Sequence, residues 1–292
     1  MVTIPTNTPS IGLALGGGGA RGLAHIGVLK VIQRENIPVH FISGTSMGGI
    51  IGSTYAAGIP LEVITGVALQ IRKRMEQFRL LDIKLTGRGL IKGTRLYRQL
   101  ASILGEELTF AELKIPMAML AVDILTGREV VLREGKVVDA IRATMSVPGV
   151  FEPVPRDDLL LVDGGILNNV PVDLLGQAGM QLKIAVDVMP DFPRNRAGQA
   201  PVVQAPKTAF LPPAMQEVLN TFLIMISEMT EYRMKVCAPD LVLRPEISNQ
   251  VSLLTGFELA EEVIAAGEAA AEAALPQIKK LIEEKSSKGE RI

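Results

Sequence analysis

The chain has 292 residues, of which 48% are hydrophobic and 28 are glycine, and this excludes a disulfide-stapled miniprotein and a largely disordered chain. Its 30 basic and 31 acidic residues leave a net charge of −1, so no overall attraction draws it to a polyanion. Nucleic acid is therefore not expected as its main partner.

The first ten residues, MVTIPTNTPS, have neither the basic region nor the apolar core of a secretory signal. Cys237 is the single cysteine, which excludes an intrachain disulfide and fits a reducing compartment. A cytoplasmic location is therefore expected.

The beginning of the chain alternates short apolar runs with helical patterns. Residues 11–15 (IGLAL) predict a strand that ends in four glycines, and residues 20–36 predict a helix. Residues 39–43 (VHFIS) predict a second strand, GTSMGG a turn, and residues 50–58 a second helix. Strands that alternate with helices favour a parallel sheet with its ligand site at the carboxyl ends of the strands.

Residues 36–61 contain no charged residue and are long enough to cross a bilayer. The stretch holds two prolines and the segment SGTSMGG. These residues favour a strand, a tight turn and a buried helix over one lipid-facing helix.

The rest of the chain adds further elements. Residues 71–98 hold nine basic and two acidic residues. PMAMLAVDI and EVVLRE predict a hairpin turned at Thr126-Gly127, KVVDAIRATM a helix, and LLLVDGG and KIAVDV two strands. Residues 189–213 predict a loop, residues 214–235 a Met-rich amphipathic helix, and FELAEEVIAAGEAAAEAAL a helix that ends near Pro276.

The segment GTSMG matches G-x-S-x-G between a predicted strand and a predicted helix, with Ser46 at its centre. This context is typical of a nucleophile elbow, in which Gly44 and Gly48 permit a strained turn that lifts the serine hydroxyl to the top of the sheet. A tight turn without chemistry is the alternative.

The two histidines do not complete a conventional triad with Ser46. In α/β-hydrolases the histidine follows the serine and the acid along the chain, whereas His25 and His40 both precede Ser46. We interpret both histidines as structural, and we expect the general base to be a carboxylate or a lysine.

Residues 16–22 (GGGGARG) also satisfy G-x-G-x-x-G. A dinucleotide fold would place an acid at the end of the second strand, but no acid lies between Glu35 and Glu62, and no G-K-[ST] follows any glycine run. The sequence therefore disfavours nucleotide binding. Exposed N–H groups at a helix N-terminus beside the elbow suit an oxyanion instead, and a tight strand-to-helix turn is the alternative.

Asp163 ends an apolar run and is followed by Gly164 and Gly165. At the end of an apolar strand, its carboxylate would lie at the same sheet edge as Ser46, and the shortage of histidine favours a functional role for it. The alternative is a structural aspartate that caps the following turn.

In this order, GGGGARG, GTSMG and DGG resemble the patatin-like phospholipase family, in its bacterial branch related to neuropathy target esterase. GLAHIGVLKVI, GLIKG, SVPGVFEPV and LVDGGILNNVPV extend the resemblance over roughly residues 10–190. Residues 191–292 match less distinctly, although PDLVLRPEI resembles a late strand of that branch. The resemblance implies one domain over residues 1–292, an α/β three-layer sandwich with a mainly parallel central sheet.

The resemblance also implies a Ser/Asp dyad without a catalytic histidine, a metal or a cofactor. Ser46 would be the nucleophile and Asp163 its general base. Arg21 would support the glycine loop or the developing charge. The oxyanion hole would consist of the backbone amides around Gly17, Gly18 and Gly19. This chain has DGG where many members have DGA, which should not impair the carboxylate.

The expected function is hydrolysis of lipid acyl esters in phospholipid or lysophospholipid, with simple esters or thioesters as alternatives. The Met-rich helix and the basic stretch at residues 71–98 would suit contact with an amphiphile or with the inner face of a membrane. A lipid-binding or regulatory protein with incidental esterase activity is the competing hypothesis. The sequence leaves the oligomeric state open.

Overall fold

The computed structural model describes residues 8–79, 83–86, 89–190 and 213–289. The strands are β1 (Ile11–Leu15), β2 (Phe41–Gly44), β3 (Ile83–Thr86), β4 (Gly89–Ile91), β5 (Met117–Asp123), β6 (Arg128–Leu132), β7 (Val154–Arg156), β8 (Leu159–Asp163), β9 (Leu182–Val186) and β10 (Leu241–Leu243). The helices are α1 (Ala24–Arg34), α2 (Met47–Ala56), α3 (Leu61–Arg79), α4 (Thr94–Leu104), α5 (Val137–Thr144), α6 (Val172–Gln177), α7 (Pro213–Cys237) and α8 (Ala260–Gly289).

Eight strands form one sheet in the order β10-β9-β1-β2-β5-β8-β7, with β6 paired to β5 outside this path. The run from β10 to β5 is parallel, whereas β6 and β8 are antiparallel to β5 and β7 is antiparallel to β8. The strands expected from IGLAL, VHFIS and KIAVDV are confirmed, and so is the mainly parallel sheet.

Strand β5 brings the ends of β2 and β8 together. It pairs with β6 through Met119 to Asp123, so β2 and β8 share its other edge. On that edge Gly44 lies opposite Met119 and Asp163 lies opposite Ala121. Strand β8 runs antiparallel to β5 and so approaches from the direction opposite to β2, and it ends level with the residues that follow Gly44.

Alternation along the strands divides the core into two layers of side chains. On β1, Ile11, Leu13 and Leu15 belong to a large cluster that includes the buried faces of α1, α2 and α8. Ala14 belongs to a smaller cluster with residues of α6 and α7. Because successive side chains of a strand point to opposite faces, the sheet lies between two helical layers, which is the three-layer sandwich expected.

Helix α8 continues through Pro276, so the expected end at this residue is wrong. The proline removes a backbone donor within the helix, but the buried face continues on both sides of it, with Ala271 and Ile278 fully buried. Lys279 also forms an ion pair with Glu35 beyond α1. Packing against α1 therefore outweighs the local disruption.

Other expectations have mixed outcomes. The hairpin of β5 and β6 is confirmed, and its turn is stabilised by Asp123, whose carboxylate accepts hydrogen bonds from the N–H and hydroxyl of Thr126. Residues 36–61 form β2, a turn and α2, as expected.

Most of the loop expected at residues 189–213 lies outside the described residues, as do the side chains of residues 71–91 in the basic stretch. Among the described helices, none has the length and hydropathy needed to cross a membrane.

Candidate active site

Ser46 occupies a strained turn between β2 and α2. Its backbone has φ 53° and ψ −122°, which is a region that residues other than glycine rarely adopt. Gly48, two residues later, lies so close to β1 that a Cβ atom there would stand 2.1 Å from the Leu15 carbonyl oxygen. The side chain of Ser46 is half-buried at the carboxyl edge of the sheet. This is the geometry of the nucleophile elbow that the sequence pattern predicts.

The Ser46 side chain interacts with the carboxylate of Asp163. The Asp163 Oδ1 accepts the N–H of Gly165 at 2.8 Å, and the residue is only 6% exposed. Burial raises the pKa of Asp163 to about 6, and the interactions with the Ser46 hydroxyl and the Gly165 N–H oppose this rise. At neutral pH the carboxylate is ionised and basic enough to accept the serine proton.

The glycine loop lies beside Ser46. A Cβ atom at Gly17 would stand 3.0 Å from the Ser46 Cβ, so this close approach requires glycine. The N–H of Gly17 is already bonded to the Asn169 carbonyl at 3.2 Å. The N–H groups of Gly18 and Gly19 have no hydrogen-bond acceptor within the described parts of the chain. Of the three amides expected in an oxyanion hole, these two are therefore available to a ligand.

The guanidinium of Arg21 is buried and bonded to backbone carbonyls. Its Nε donates to the Val188 carbonyl at 2.6 Å, and its Nη1 donates to the Val251 carbonyl at 3.3 Å. Burial lowers the pKa of Arg21 to about 10, and the nearby Asp187 opposes this fall. These contacts tie the glycine loop to the segment after β9 and to residues near 250, which matches a supporting role more closely than contact with a developing charge.

Both histidines have structural contacts. Nε2 of His25 bonds the Gly16 carbonyl at 2.7 Å, and the residue is fully buried. Burial lowers the pKa of His25 to about 4, so the ring is neutral and holds the start of the glycine loop. His40 accepts the N–H of Ile11 at the amino end of the sheet, which is the end opposite Ser46.

Two further residues touch the site, and sequence reasoning assigned them no role. The Asn169 side-chain amide donates to the Gly17 carbonyl at 3.1 Å. The Thr144 hydroxyl accepts the N–H of Ser46 at 3.0 Å. Asn169 lies close to the DGG motif in the sequence, which is a signal that could have been used, whereas nothing near Thr144 suggests contact with residue 46.

No group of three or more His, Cys, Asp or Glu side chains suited to a metal ion occurs in the described ranges. A cavity of about 460 Å³ lies at the amino ends of β2 and β5, lined by Phe41, Met117 and Leu174 among others. Ser46 follows the carboxyl end of β2, at the opposite end of the strands. The cavity therefore does not belong to the candidate active site.

Comparisons with known proteins agree with this fold and these motifs. The family model for patatin-like phospholipase matches residues 13–175. An uncharacterized NTE family protein of Mycobacterium tuberculosis (strain ATCC 25618 / H37Rv) is 35% identical over 183 residues, which are 63% of this chain and 50% of the relative. The neuropathy target esterase sws of Drosophila melanogaster is also 35% identical over 183 residues, which are 61% of this chain and 13% of that protein.

The crystal structure of VipD from Legionella pneumophila has the same fold, with a TM-score of 0.59 at 13% identity, and the match covers 93% of this chain and 67% of that chain. The chain spans about half the length of the mycobacterial relative. Because the family model covers more than half of its residues and includes the elbow, the glycine loop and Asp163, the chain belongs to the patatin-like phospholipase family, in the group related to neuropathy target esterase.

Proposed function

We propose that the protein is a serine hydrolase that cleaves carboxylic esters of lipids, in phospholipid or lysophospholipid, through a dyad of Ser46 and Asp163. The observation that carries the proposal is that the Ser46 hydroxyl interacts with a buried carboxylate, that of Asp163, and lowers its pKa. The glycine loop passes beside the same serine at Gly17, and the next two N–H groups of the loop, those of Gly18 and Gly19, have no acceptor among the described residues. A nucleophile, a base and a loop with N–H donors in the same region support acyl transfer.

In the acylation step, the Ser46 Oγ attacks the ester carbonyl carbon while Asp163 accepts the hydroxyl proton. The carbonyl oxygen becomes an oxyanion, to which the N–H groups of Gly18 and Gly19 donate. The bond to the alcohol oxygen then breaks, and Asp163 returns its proton to the departing alcohol. Ser46 is left as an acyl ester.

In the deacylation step, Asp163 accepts a proton from water as the water oxygen attacks the acyl carbon. The same two N–H groups stabilise the second oxyanion. The bond to Oγ breaks, Asp163 gives its proton to Oγ, and the fatty acid leaves. One carboxylate serves both steps, so the proposal needs no histidine.

Within this proposal, Gly17 and Arg21 shape the oxyanion hole without donating to the oxyanion. Gly17 has no side chain and so leaves space for substrate beside Ser46. Its N–H is bonded to the Asn169 carbonyl and is therefore not a donor to the oxyanion. Arg21 holds the loop through the carbonyls of Val188 and Val251. Strand β10 and helix α8 belong to the same sandwich as the motifs, which supports one domain over residues 1–292.

Helix α7 supports a lipid substrate and peripheral contact with a lipid surface. It packs beside the 3-10 turn Gly164–Ile166 that follows Asp163. Its outward side chains recur every three or four residues and form an apolar stripe, which we call the α7 stripe: Val218, Phe222, Met225, Met229, Tyr232 and Val236 are 37% to 65% exposed. Exposed apolar surface of this extent is typical of a binding site, and methionine adapts to acyl chains.

The test is hydrolysis of short and long p-nitrophenyl esters by the wild type and by Ser46→Ala. The matched control is Ser53→Ala, because Ser53 is a buried serine of α2, the helix that follows Ser46, and its hydroxyl donates to the Ile50 carbonyl. We expect hydrolysis to vanish in Ser46→Ala and to persist in Ser53→Ala, and a fluorophosphonate to label the wild type at residue 46.

The second candidate function is lipid binding with incidental esterase activity, and the α7 stripe is the observation that favours it. Binding to vesicles by a wild type that is inactive on every ester would support this second function. Equal hydrolysis by Ser46→Ala and the wild type would contradict the dyad.

A further inference from the structure

The end of α5 contacts both members of the proposed dyad. Thr144 is the last residue of α5, and Ser146 follows two residues later. Both residues are fully buried. Neither lies in the glycine loop, the elbow or the DGG motif, so the proposed mechanism does not yet use them.

The Thr144 hydroxyl joins Ser46 to the central strand. Its Oγ1 accepts the N–H of Ser46 at 3.0 Å and donates to the Leu120 carbonyl at 2.5 Å. A hydroxyl has one proton to donate, so the bond to Leu120 leaves Oγ1 free to accept from Ser46. Since Leu120 lies on β5 between the residues that face Gly44 and Asp163, Thr144 ties Ser46 to the strand that also positions the base.

Asp163 is held by the same segment. Its N–H donates to the Ser146 carbonyl at 2.9 Å. The guanidinium of Arg142 donates to the Ser146 hydroxyl at 2.5 Å and to the Glu152 carbonyl at 2.9 Å. The three residues 144–146 thus form a bridge, with a side-chain bond to the nucleophile at one end and a main-chain bond to the base at the other.

The bond to Ser46 acts on a strained residue. A non-glycine residue with positive φ keeps its conformation only when its surroundings hold it there. The N–H of Ser46 belongs to the peptide plane that precedes its Cα, so a bond to this N–H holds the backbone from which the side chain extends toward Asp163. The helical bonds of Gly48, Gly49 and Ile50 to Thr45 and Ser46 use carbonyl groups and leave the Ser46 N–H to Thr144.

We infer that Thr144 is a positioning residue for the nucleophile, whose hydroxyl sets the direction of the Ser46 side chain toward Asp163 and toward the free N–H groups of the glycine loop. The inference rests on the proposed function, because it concerns the same serine. The Thr144 hydroxyl is the part of the bridge that substitution can remove, since the bond to Asp163 comes from the main chain.

The experiment compares Thr144→Val, which keeps the shape and removes the hydroxyl, with Thr144→Ser, which keeps the hydroxyl. A misplacement of the reacting atoms by about 1 Å costs about a hundredfold in rate. We therefore expect kcat on p-nitrophenyl butyrate to fall about 10- to 100-fold in Thr144→Val, with KM within about twofold. Thr144→Ser should restore most of kcat, and the rate of fluorophosphonate labelling at Ser46 should follow the same order.

Thr54→Val is the matched control. Thr54 is a buried threonine of α2, 5% exposed, and its hydroxyl donates to the Ile51 carbonyl of its own helix. Its replacement removes a buried hydroxyl close in sequence to the elbow but leaves the Ser46 N–H bonded. We expect its kcat to stay at the wild-type value.

The outcomes separate the two proposals. A wild type that neither hydrolyses the ester nor is labelled at Ser46 ends both of them. An active wild type whose Thr144→Val variant keeps kcat, even with a lower melting temperature, overturns the positioning role and leaves the dyad standing. If Thr144→Val does not fold, Thr144→Ala is tested with the same expected fall in kcat. If neither variant folds while Thr144→Ser does, the hydroxyl is needed for stability alone, and the inference is overturned.

Discussion

The proposed active site and helix α7 distribute polar and apolar side chains in opposite ways. At the site, Asp163 and Thr144 are buried, and each is held by a hydrogen bond to another element: Thr144 to the N–H of Ser46, and the N–H of Asp163 to the Ser146 carbonyl. On α7, Ser227 and Thr230 face the protein while Met225 is 60% exposed. The difference separates two requirements: a reaction needs groups fixed to a fraction of an ångström, whereas contact with acyl chains needs surface that adapts.

The largest effect is expected at Asp163. Asp163→Asn keeps an oxygen that can accept the Gly165 N–H but removes the base, so kcat should fall about a thousandfold. The measurement is ester hydrolysis at matched folded concentration.

The same variant should be more stable than the wild type. Burial raises the pKa of Asp163 from 3.8 to about 6, so the ionised carboxylate destabilises the fold above pH 6, by about 3 kcal/mol for a rise of about two pKa units. This cost is fully present above the folded pKa and disappears as the pH falls below 3.8. Urea unfolding at pH 8 should therefore show a higher midpoint for Asp163→Asn. A folded variant with wild-type hydrolysis would contradict the dyad.

In the wild type, lowering the pH should reduce ester hydrolysis less than the Asp163→Asn substitution does. The base must be ionised, so kcat/KM should be constant above pH 7 and should fall about tenfold per pH unit below a pKa of about 6. The measurement is the pH profile of ester hydrolysis between pH 4.5 and 9, with folding followed by circular dichroism. A profile that stays flat down to pH 4.5 would show that Asp163 is not the base.

The smallest effect on chemistry is expected on the α7 stripe. Met225→Glu places a charge on the exposed stripe and contacts none of the proposed catalytic groups, so hydrolysis of a soluble ester should change less than about twofold. Binding to phosphatidylcholine and phosphatidylglycerol vesicles, measured by sedimentation in a Ser46→Ala background, should fall about tenfold.

Val63→Glu is the control for this prediction, because Val63 is 47% exposed on α3, outside the stripe. Equal vesicle binding by both variants and the parent would remove the lipid-contact role of α7. Loss of soluble-ester hydrolysis in Met225→Glu alone would show that α7 belongs to the active site, and the contrast between the two regions would fail.

Local patterns account for the parts of this fold that depend on neighbours in sequence. The strands β1, β2 and β9 and the hairpin at Thr126-Gly127 follow from apolar runs and turn residues. The elbow around Ser46 follows from a five-residue motif between a strand and a helix. Pro276 shows the limit of this reasoning, because α8 is maintained across it by packing against a helix more than 200 residues earlier.

The sequence by itself determined the family, the motifs and the candidate roles of Ser46, Asp163 and the glycine loop. Each of these residues lies in a short motif, and the residues of a short motif largely determine its local backbone geometry. Tertiary structure alone decided that β8 runs antiparallel to β5, that the Gly17 N–H is bonded to Asn169, and that Thr144 contacts Ser46. The pairing of β8 with β5 joins residues about 40 positions apart, and the other two contacts join residues 98 and 152 positions apart. No local pattern encodes a partner at such distances. They depend on how the strands and helices pack once the core has formed.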